Sequence, residues 1–208
     1  KQFDLALRKF ITKVNDIEYS REPIVDTSKL GTIVDGNKIT TATYKHSKQP
    51  ISVQKGDIVT YTIRVYNEGE VDGYVDKITD YLPNNLIPII DGIKGIDTKT
   101  YEKEIEFNSN WLWSYAEDER TITTTITSKL NTETYSVLTG LEEIVDTKLN
   151  AYVEGSNKLD YIDVQIKCLV AETAVSYEYL TNIAEIVESQ DINGNKTDGL
   201  DSKLGNVD

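Results

Sequence analysis

The 208-residue sequence predicts an all-β chain that folds as an antiparallel sandwich. Three observations indicate this class. Apolar and polar residues alternate with a period of two in several segments, turn residues separate the regular strands by roughly 8 to 12 residues, and a single segment has the spacing of a helix. Hydrophobic residues make up 38% of the chain, which is enough for a core without disulfides.

The predicted strands share an alternation that turns one apolar face toward the core. In chain order the clearest are residues 3–11, 58–66, 73–82, 162–170 and 179–188, and shorter ones are predicted at 40–44, 51–53, 105–107 and 121–127. The one predicted helix covers residues 139–150, where Thr139 and Glu142 form a capping box ahead of apolar residues at helical spacing.

The chain is expected to hold one domain, residues 1–189, with an irregular middle insertion at 84–158. Residues 190–208 are rich in Gly, Asn and Asp, so we expect them to form an acidic C-terminal loop or linker. The sequence contains no Met, and we therefore expect it to be a piece of a longer protein.

The composition excludes several classes of function. The chain has 22 Lys and Arg against 35 Asp and Glu, and its net charge of −13 would repel nucleic acid. No segment reaches the roughly 18 apolar residues of a membrane span. The single Cys168 and the single His46 exclude an intrachain disulfide and a Cys/His metal cluster. No Ser has a His/Asp partner pattern and no glycine-rich phosphate loop is present, so we expect neither a turnover enzyme nor an organic cofactor.

Three polar residues break the apolar pattern of the predicted strands. Lys9, Asp80 and Asn182 each fall on a face that should be core. Burying a lone charged group costs several kcal/mol, and burial lowers the pKa of a lysine and raises that of a carboxyl group. The three groups would be tolerated in the interior if they met one another.

These three residue types support one reaction. A neutral lysine amine attacks the amide carbon of asparagine, a protonated carboxyl group polarises the carbonyl and moves the proton, and ammonia leaves an isopeptide bond behind. The residues alone leave other interpretations open, because Lys9 could reach water at a strand end and Asp80 or Asn182 could bond to backbone. Lys13 and Asp76 also share the faces of Lys9 and Asp80.

Five short segments carry a resemblance to a known family. In order they are FDLALRKFI (3–11), GDIVTYTI (56–63), VYNEG (65–69), ITDYLP (78–83) and NIAEI (182–186). Together they resemble the isopeptide-forming, CnaA-type domains of Gram-positive surface proteins and fimbrial subunits, which are Ig-like sandwiches related to the repeat domains of cell-wall adhesins. The matched segments cover roughly a third of the chain and include both of its ends.

The resemblance implies a role for each of the three residues. Lys9 would donate the amine, Asn182 would accept it, and Asp80 would be the catalytic acid of a single self-made cross-link. The insertion at residues 84–158 matches nothing in the family, so Asp76 stays an alternative acid.

Two further sites are predicted outside this trio. Four residues with oxygen ligands alternate as in a calcium loop: Asp191, Asn193, Asn195 and Asp198. Because Lys196 stands where an EF-hand loop needs Gly, the alternative is an acidic, turn-forming linker. An aromatic cluster is either a ligand platform for protein or sugar or a satellite core: Tyr101, Trp111, Trp113 and Tyr115.

The expected function is that of a structural module in a Gram-positive cell-surface or pilus-like protein, stabilised by a Lys9–Asn182 isopeptide bond. We expect it outside the cell on the cell wall, with neighbouring domains of the same protein as partners and with no contact to nucleic acid or membrane. The alternative is an adhesin domain in which Trp111 or the acidic tail binds a host or cell-wall ligand. A plain spacer without a cross-link is a third option.

Overall fold

Two five-stranded antiparallel sheets face each other in the computed structural model, which describes residues 2–90, 113–115, 120–125, 127–129 and 147–197. The strands of the first sheet, in spatial order, are β2 (Ile17–Glu18), β1 (Leu5–Val14), β7 (Ile58–Asn67), β12 (Asp160–Val170) and β9 (Leu86–Pro88). Those of the second are β10 (Trp113–Tyr115), β11 (Thr121–Thr124), β8 (Gly73–Tyr81), β13 (Ile183–Asp191) and β14 (Lys196–Thr197). The predicted all-β antiparallel sandwich is confirmed.

The main core lies between the two sheets and follows from the period of two. Alternate residues of each long strand point to the facing sheet, and burying each such aliphatic side chain contributes roughly 1.5–3 kcal/mol. Residues of both sheets form this core, among them Leu5, Leu7, Val59, Ile63, Ile78, Ile122, Ile166 and Ala184. The strand β7 is hydrogen-bonded to β1 on one side and to β12 on the other, so it is the central strand of the first sheet.

A further layer covers the outer face of the first sheet. It contains two small ladders, β3 (Ile24–Asp26) with β6 (Thr43–Lys45) and β4 (Ile33–Val34) with β5 (Asn37–Lys38). Leu30 and Ala42 of this layer pack with Tyr66 and Leu159 in a second buried cluster. The strand β7 is therefore buried on both faces, which the polar composition of residues 12–57 did not predict.

Several predicted boundaries differ from those in the structure. The first strand runs on to Val14 because β2 pairs with its end, and a β-bulge lies between Ile11 and Lys13. The last long strand begins at Ile183, while residues 179–182 are outside any strand. Residues 51–53 belong to no strand, and the strand predicted at 105–107 lies outside the described residues.

Two other predicted segments also differ from expectation. Residues 139–146 of the predicted helix lie outside the described part of the chain, and residues 147–150 are extended, with Leu149 in a β-bridge to Gly73. Residues 190–197, expected as loop or linker, form the end of β13 and its hairpin to β14. Within the ranges described, no helix has the length and apolar character to cross a membrane.

Candidate functional site

Lys9 projects from the first sheet into the core. On β1 it shares the inward face with Leu5 and Leu7, and in the ladder it stands opposite Ile63 of β7. Its side chain crosses to the second sheet, where Nζ lies 2.5 Å from Oδ2 of Asp80. The two side chains are only 1% and 0% exposed, so this ion pair joins the two sheets away from water.

Asp80 belongs to β8, in the interior of the second sheet. Its register partners are Ile122 of β11 and Ala184 of β13, so strands flank it on both sides. Burial raises the pKa of Asp80, and the smaller opposing effects of Lys9 and Asn182 do not cancel that rise. A raised pKa makes this carboxyl group a better proton acceptor from Lys9 than an exposed aspartate would be.

Asn182 lies immediately before β13 and is 4% exposed. It is near enough to Asp80 to lower the pKa of that carboxyl group, yet neither polar atom of its side chain makes a hydrogen bond of ordinary geometry within the described structure. Oδ1 of Asp80 likewise makes no hydrogen bond of ordinary geometry among the described residues. Leaving a buried amide unsatisfied costs about 1–3 kcal/mol, and buried groups without partners require an explanation.

Apolar and aromatic side chains enclose these three groups. The ring centroid of Tyr61 lies 4.8 Å from Nζ of Lys9. Burial is the main cause that raises the pKa of the Tyr61 phenol and of the Cys168 thiol. Smaller contributions come from Cys168 and then Asp80 for Tyr61, and from Asp80 for Cys168, so both groups stay neutral beside the ion pair. The low dielectric of such surroundings strengthens every electrostatic interaction within them.

The alternative residues lie elsewhere. Oδ2 of Asp76 accepts a hydrogen bond of 2.6 Å from Nε2 of Gln190, and the Asp76 side chain is partly exposed. Lys13 stands opposite Glu18 and Thr60 in the sheet ladder. Of the two candidate acids, Asp76 and Asp80, Asp80 is the one whose carboxylate contacts Lys9.

The predicted calcium loop is a hairpin turn in the described residues. Oδ1 of Asp191 accepts backbone hydrogen bonds from Asn193 and Asn195, and its Oδ2 accepts one from the Asn195 amide. The residues described contain no group of three His, Cys, Asp or Glu side chains placed to hold a metal ion. Asp198 lies outside these residues, so a calcium site stays a prediction.

The predicted aromatic cluster is described only in part, because Tyr101 and Trp111 lie outside the described residues. Trp113 is buried in the main core and its Nε1 donates a hydrogen bond to the Gln165 carbonyl, whereas Tyr115 is partly exposed. Trp113 is therefore a core residue.

Sequence analysis missed two features around the site. Tyr61 follows the same alternation as Ile63, the register partner of Lys9, so its closeness to Lys9 could have been foreseen. A groove formed by residues 47–55 and 174–182 could not, since the two segments are far apart in the chain and their approach is set by the tertiary fold.

Comparisons with known proteins yield one structural similarity. No family model and no curated protein sequence matches this chain. The chain is similar in structure to the major pilin subunit of Bacillus cereus, at 15% sequence identity and a TM-score of 0.37. The similarity covers 93% of this chain but only 37% of the pilin chain, and we draw no conclusion about function from it.

Proposed function

We propose that this chain is a structural module of a Gram-positive cell-surface or pilus-like protein and that it stabilises itself with an isopeptide bond between Lys9 and Asn182. The observation that supports the cross-link is a buried Lys9–Asp80 contact of 2.5 Å beside a buried Asn182 amide that makes no hydrogen bond of ordinary geometry among the described residues. An ordinary buried asparagine would satisfy its amide group. An asparagine that is to be attacked needs its carbonyl carbon accessible to the amine.

The reaction begins with a proton transfer within the ion pair. The Lys9 ammonium gives one proton to the Asp80 carboxylate, leaving a neutral amine and a carboxylic acid. The raised pKa of Asp80 favours this neutral pair. A lysine amine is a nucleophile only in its neutral form.

The neutral amine then attacks the amide carbon of Asn182. A bond forms between Nζ of Lys9 and Cγ of Asn182, while the Asp80 carboxyl group stabilises the negative charge that develops on Oδ1. Asp80 passes a proton from Nζ to Nδ2, and the bond between Cγ and Nδ2 breaks. The products are one secondary amide and one ammonia, with the carboxyl group of Asp80 left protonated.

The positions of the two partners give the bond a mechanical purpose. Lys9 lies in the first long strand and Asn182 directly precedes the last one. A bond between them closes a loop over most of the described chain, which by the estimate used for disulfides adds on the order of 5 kcal/mol. A force that pulls on both ends of the domain would load this covalent bond before it separated the strands between them.

Peptide mapping tests this proposal. A digest of the denatured protein should contain one branched peptide that joins the residues around Lys9 to those around Asn182, and tandem mass spectrometry should place the branch at these two side chains. The Asn182→Ala variant serves as the control and should lack the branched peptide. Recovery of both segments as separate linear peptides from the folded wild-type protein would contradict the proposal.

A further inference from the structure

A groove with a volume of about 650 Å³ opens onto the candidate site, and Lys9 and Asn182 are among its lining residues. Its two walls are residues 47–55 and 174–182, and β1 also contributes Phe10 and Ile11. This volume lies within the range of roughly 300–1,000 Å³ that ligand pockets occupy. All of the residues used here belong to the described part of the chain.

Both walls present backbone that is not used by the sheets. Residues 51–53 and 179–182 are outside any strand, and within the described structure they make no backbone-to-backbone hydrogen bond. Backbone donors and acceptors that are not paired within the protein can pair with an extended peptide, as those of sheet edges do in β-strand addition. Apolar side chains between these groups, including Ile51, Val53 and Leu180, would receive the partner's apolar side chains.

The mouth of the groove is positively charged on a chain whose net charge is −13. Arg21, Lys48 and Lys55 line it, and the Arg21 guanidinium donates hydrogen bonds of 2.8 and 2.7 Å to the carbonyls of Ser47 and Gln49. Burial and the charges of Lys48, Arg8 and Arg21 lower the pKa of His46 beside it. Among the described residues that line the groove, the acidic one is Glu178, whose carboxylate accepts hydrogen bonds of 2.9 and 3.1 Å from Asn85. The rim is therefore positively charged and attracts negative groups, although the protein as a whole carries a negative net charge.

The second wall exposes aromatic rings in a strained backbone. Tyr177 has a φ of +66° and its side chain is fully exposed, and Tyr179 is exposed nearby. A bulky residue in the left-handed region is a rare outlier that stores strain. Tyrosine is also enriched in the buried centre of protein–protein interfaces. Tyr177 therefore combines a backbone conformation that suits glycine with an aromatic ring in solvent, where it could contact a bound partner.

We propose that this groove binds an extended, acidic peptide segment of a protein partner. The open backbone of the walls would pair with the segment, the cationic rim would select its carboxylates, and Tyr177 would cover it. Lys9 and Asn182 line the groove, but the proposed contacts with the peptide come from other residues of the walls and the rim, so they do not require the isopeptide bond.

A random-peptide display library panned on the folded wild-type protein tests this proposal. The enriched sequences should be acidic with interspersed apolar residues. The affinity of a selected peptide should fall by on the order of tenfold or more in a Lys48→Glu/Lys55→Glu variant. The matched control is Lys29→Glu/Lys158→Glu, which makes the same change of charge at exposed lysines away from the groove and should bind about as well as wild type.

A Tyr177→Gly variant separates binding from folding. Glycine relieves the positive φ, so this variant should be at least as stable as wild type in thermal unfolding and should still lose peptide affinity. Failure to enrich any peptide, enrichment without an acidic excess, or equal binding by the Lys48→Glu/Lys55→Glu variant would overturn the proposal. Inorganic polyphosphate that bound with the same sensitivity while no peptide was enriched would also overturn it and indicate a site for phosphate polymers.

Discussion

Two ion pairs lie close together on opposite faces of the first sheet, and they differ in what they can do. The inner pair is Lys9 with Asp80, and the outer one is Arg64 with Asp163, where Arg64 follows the register partner of Lys9 along β7. Their contacts are similar, at 2.5 Å for the inner pair and 2.7 Å for each of two hydrogen bonds in the outer pair. Contact distance alone therefore does not distinguish a reactive pair from a structural one.

Burial and the type of cation make the difference. The side chain of Asp163 is 35% exposed, whereas that of Asp80 is completely buried. Burial lowers the pKa of Arg64, but its hydrogen bonds and charge interaction with Asp163 outweigh this effect and raise the pKa overall, so the guanidinium stays charged. Arg64 also stacks 4.0 Å from the ring of Tyr161, as a structural clamp would. Only the inner pair has a cation that can become a nucleophile.

The largest effect is expected when the acid of the inner pair is removed. In Asp80→Ala the cross-link should not form, although Lys9 and Asn182 are both present, and the Lys9 ammonium loses its carboxylate in the core. The lost cross-link costs on the order of 5 kcal/mol. The buried Lys9 ammonium left without a carboxylate costs about 3–5 kcal/mol more. Chemical denaturation should show this loss, and Asp76→Ala, the control, should keep the cross-link. If instead the cross-link forms in Asp80→Ala and is lost in Asp76→Ala, the catalytic acid is Asp76.

The next effect isolates the cross-link itself. Asn182→Ala removes the acceptor and leaves the inner ion pair in place. The free energy of unfolding should fall by on the order of 5 kcal/mol. For a domain of this size that corresponds to a decrease in Tm of roughly 10–20 °C. Thermal unfolding under reducing and non-reducing conditions should give the same Tm for each protein, since no disulfide is involved. If Asn182→Ala has the same Tm as wild type, Asn182 does not form a stabilising covalent bond.

A third effect concerns the pH dependence of stability. In Lys9→Met, Asp80 keeps a buried carboxyl group whose pKa burial raises above the ordinary value of about 3.9. Its contribution to stability is therefore present below about pH 4 and is lost as the pH rises through the raised pKa, because the folded state binds the proton more tightly than the unfolded state does. The comparison variant is Lys9→Met/Asp80→Asn, which also lacks the cross-link.

Urea unfolding of these two variants measures the difference directly. Relative to the double variant, Lys9→Met should become less stable between pH 4 and pH 7, by up to about 3–5 kcal/mol. Parallel stability curves for the two variants over this range would show that the Asp80 carboxyl group does not titrate in the folded protein with a raised pKa.

The smallest effect is expected at the outer pair. Arg64→Met should cost about 1–2 kcal/mol, because its hydrogen bonds to Asp163 are charge-assisted but partly open to solvent. The cross-link should form as in wild type, so the variant should still be lighter than its sequence by one ammonia. An Arg64→Met protein without the cross-link would show that the outer pair is needed to shape the site.

The sequence was sufficient to predict the inner pair but not its details. Leu5 and Leu7 share the face of Lys9, so the period of two alone placed that lysine in the core. The period of two alone did not separate Asp76 from Asp80, since it places both on one face of the strand, and the choice of Asp80 came from the family resemblance. In the structure, register shifts between β8 and β13, at Ile186/Glu188 and at Glu188/Ser189, separate the surroundings of the two acids, and no sequence pattern indicates these shifts.

Features made by packing between distant segments were also beyond prediction. Residues 12–57 are polar and irregular, yet part of this stretch covers β7 and buries Tyr66. The walls of the groove come from residues 47–55 and 174–182, which are far apart in the chain. Their approach depends on how the sandwich is connected, and no local pattern of hydrophobic residues encodes it.

Intact mass spectrometry of the denatured wild-type chain is the most direct test of the cross-link. We predict a mass lower than that of the sequence by one ammonia, and the full sequence mass, corrected for the substitution, in Asp80→Ala. Wild-type protein that is correctly folded but keeps its full mass would mean that Lys9, Asp80 and Asn182 form a buried polar cluster and no covalent bond.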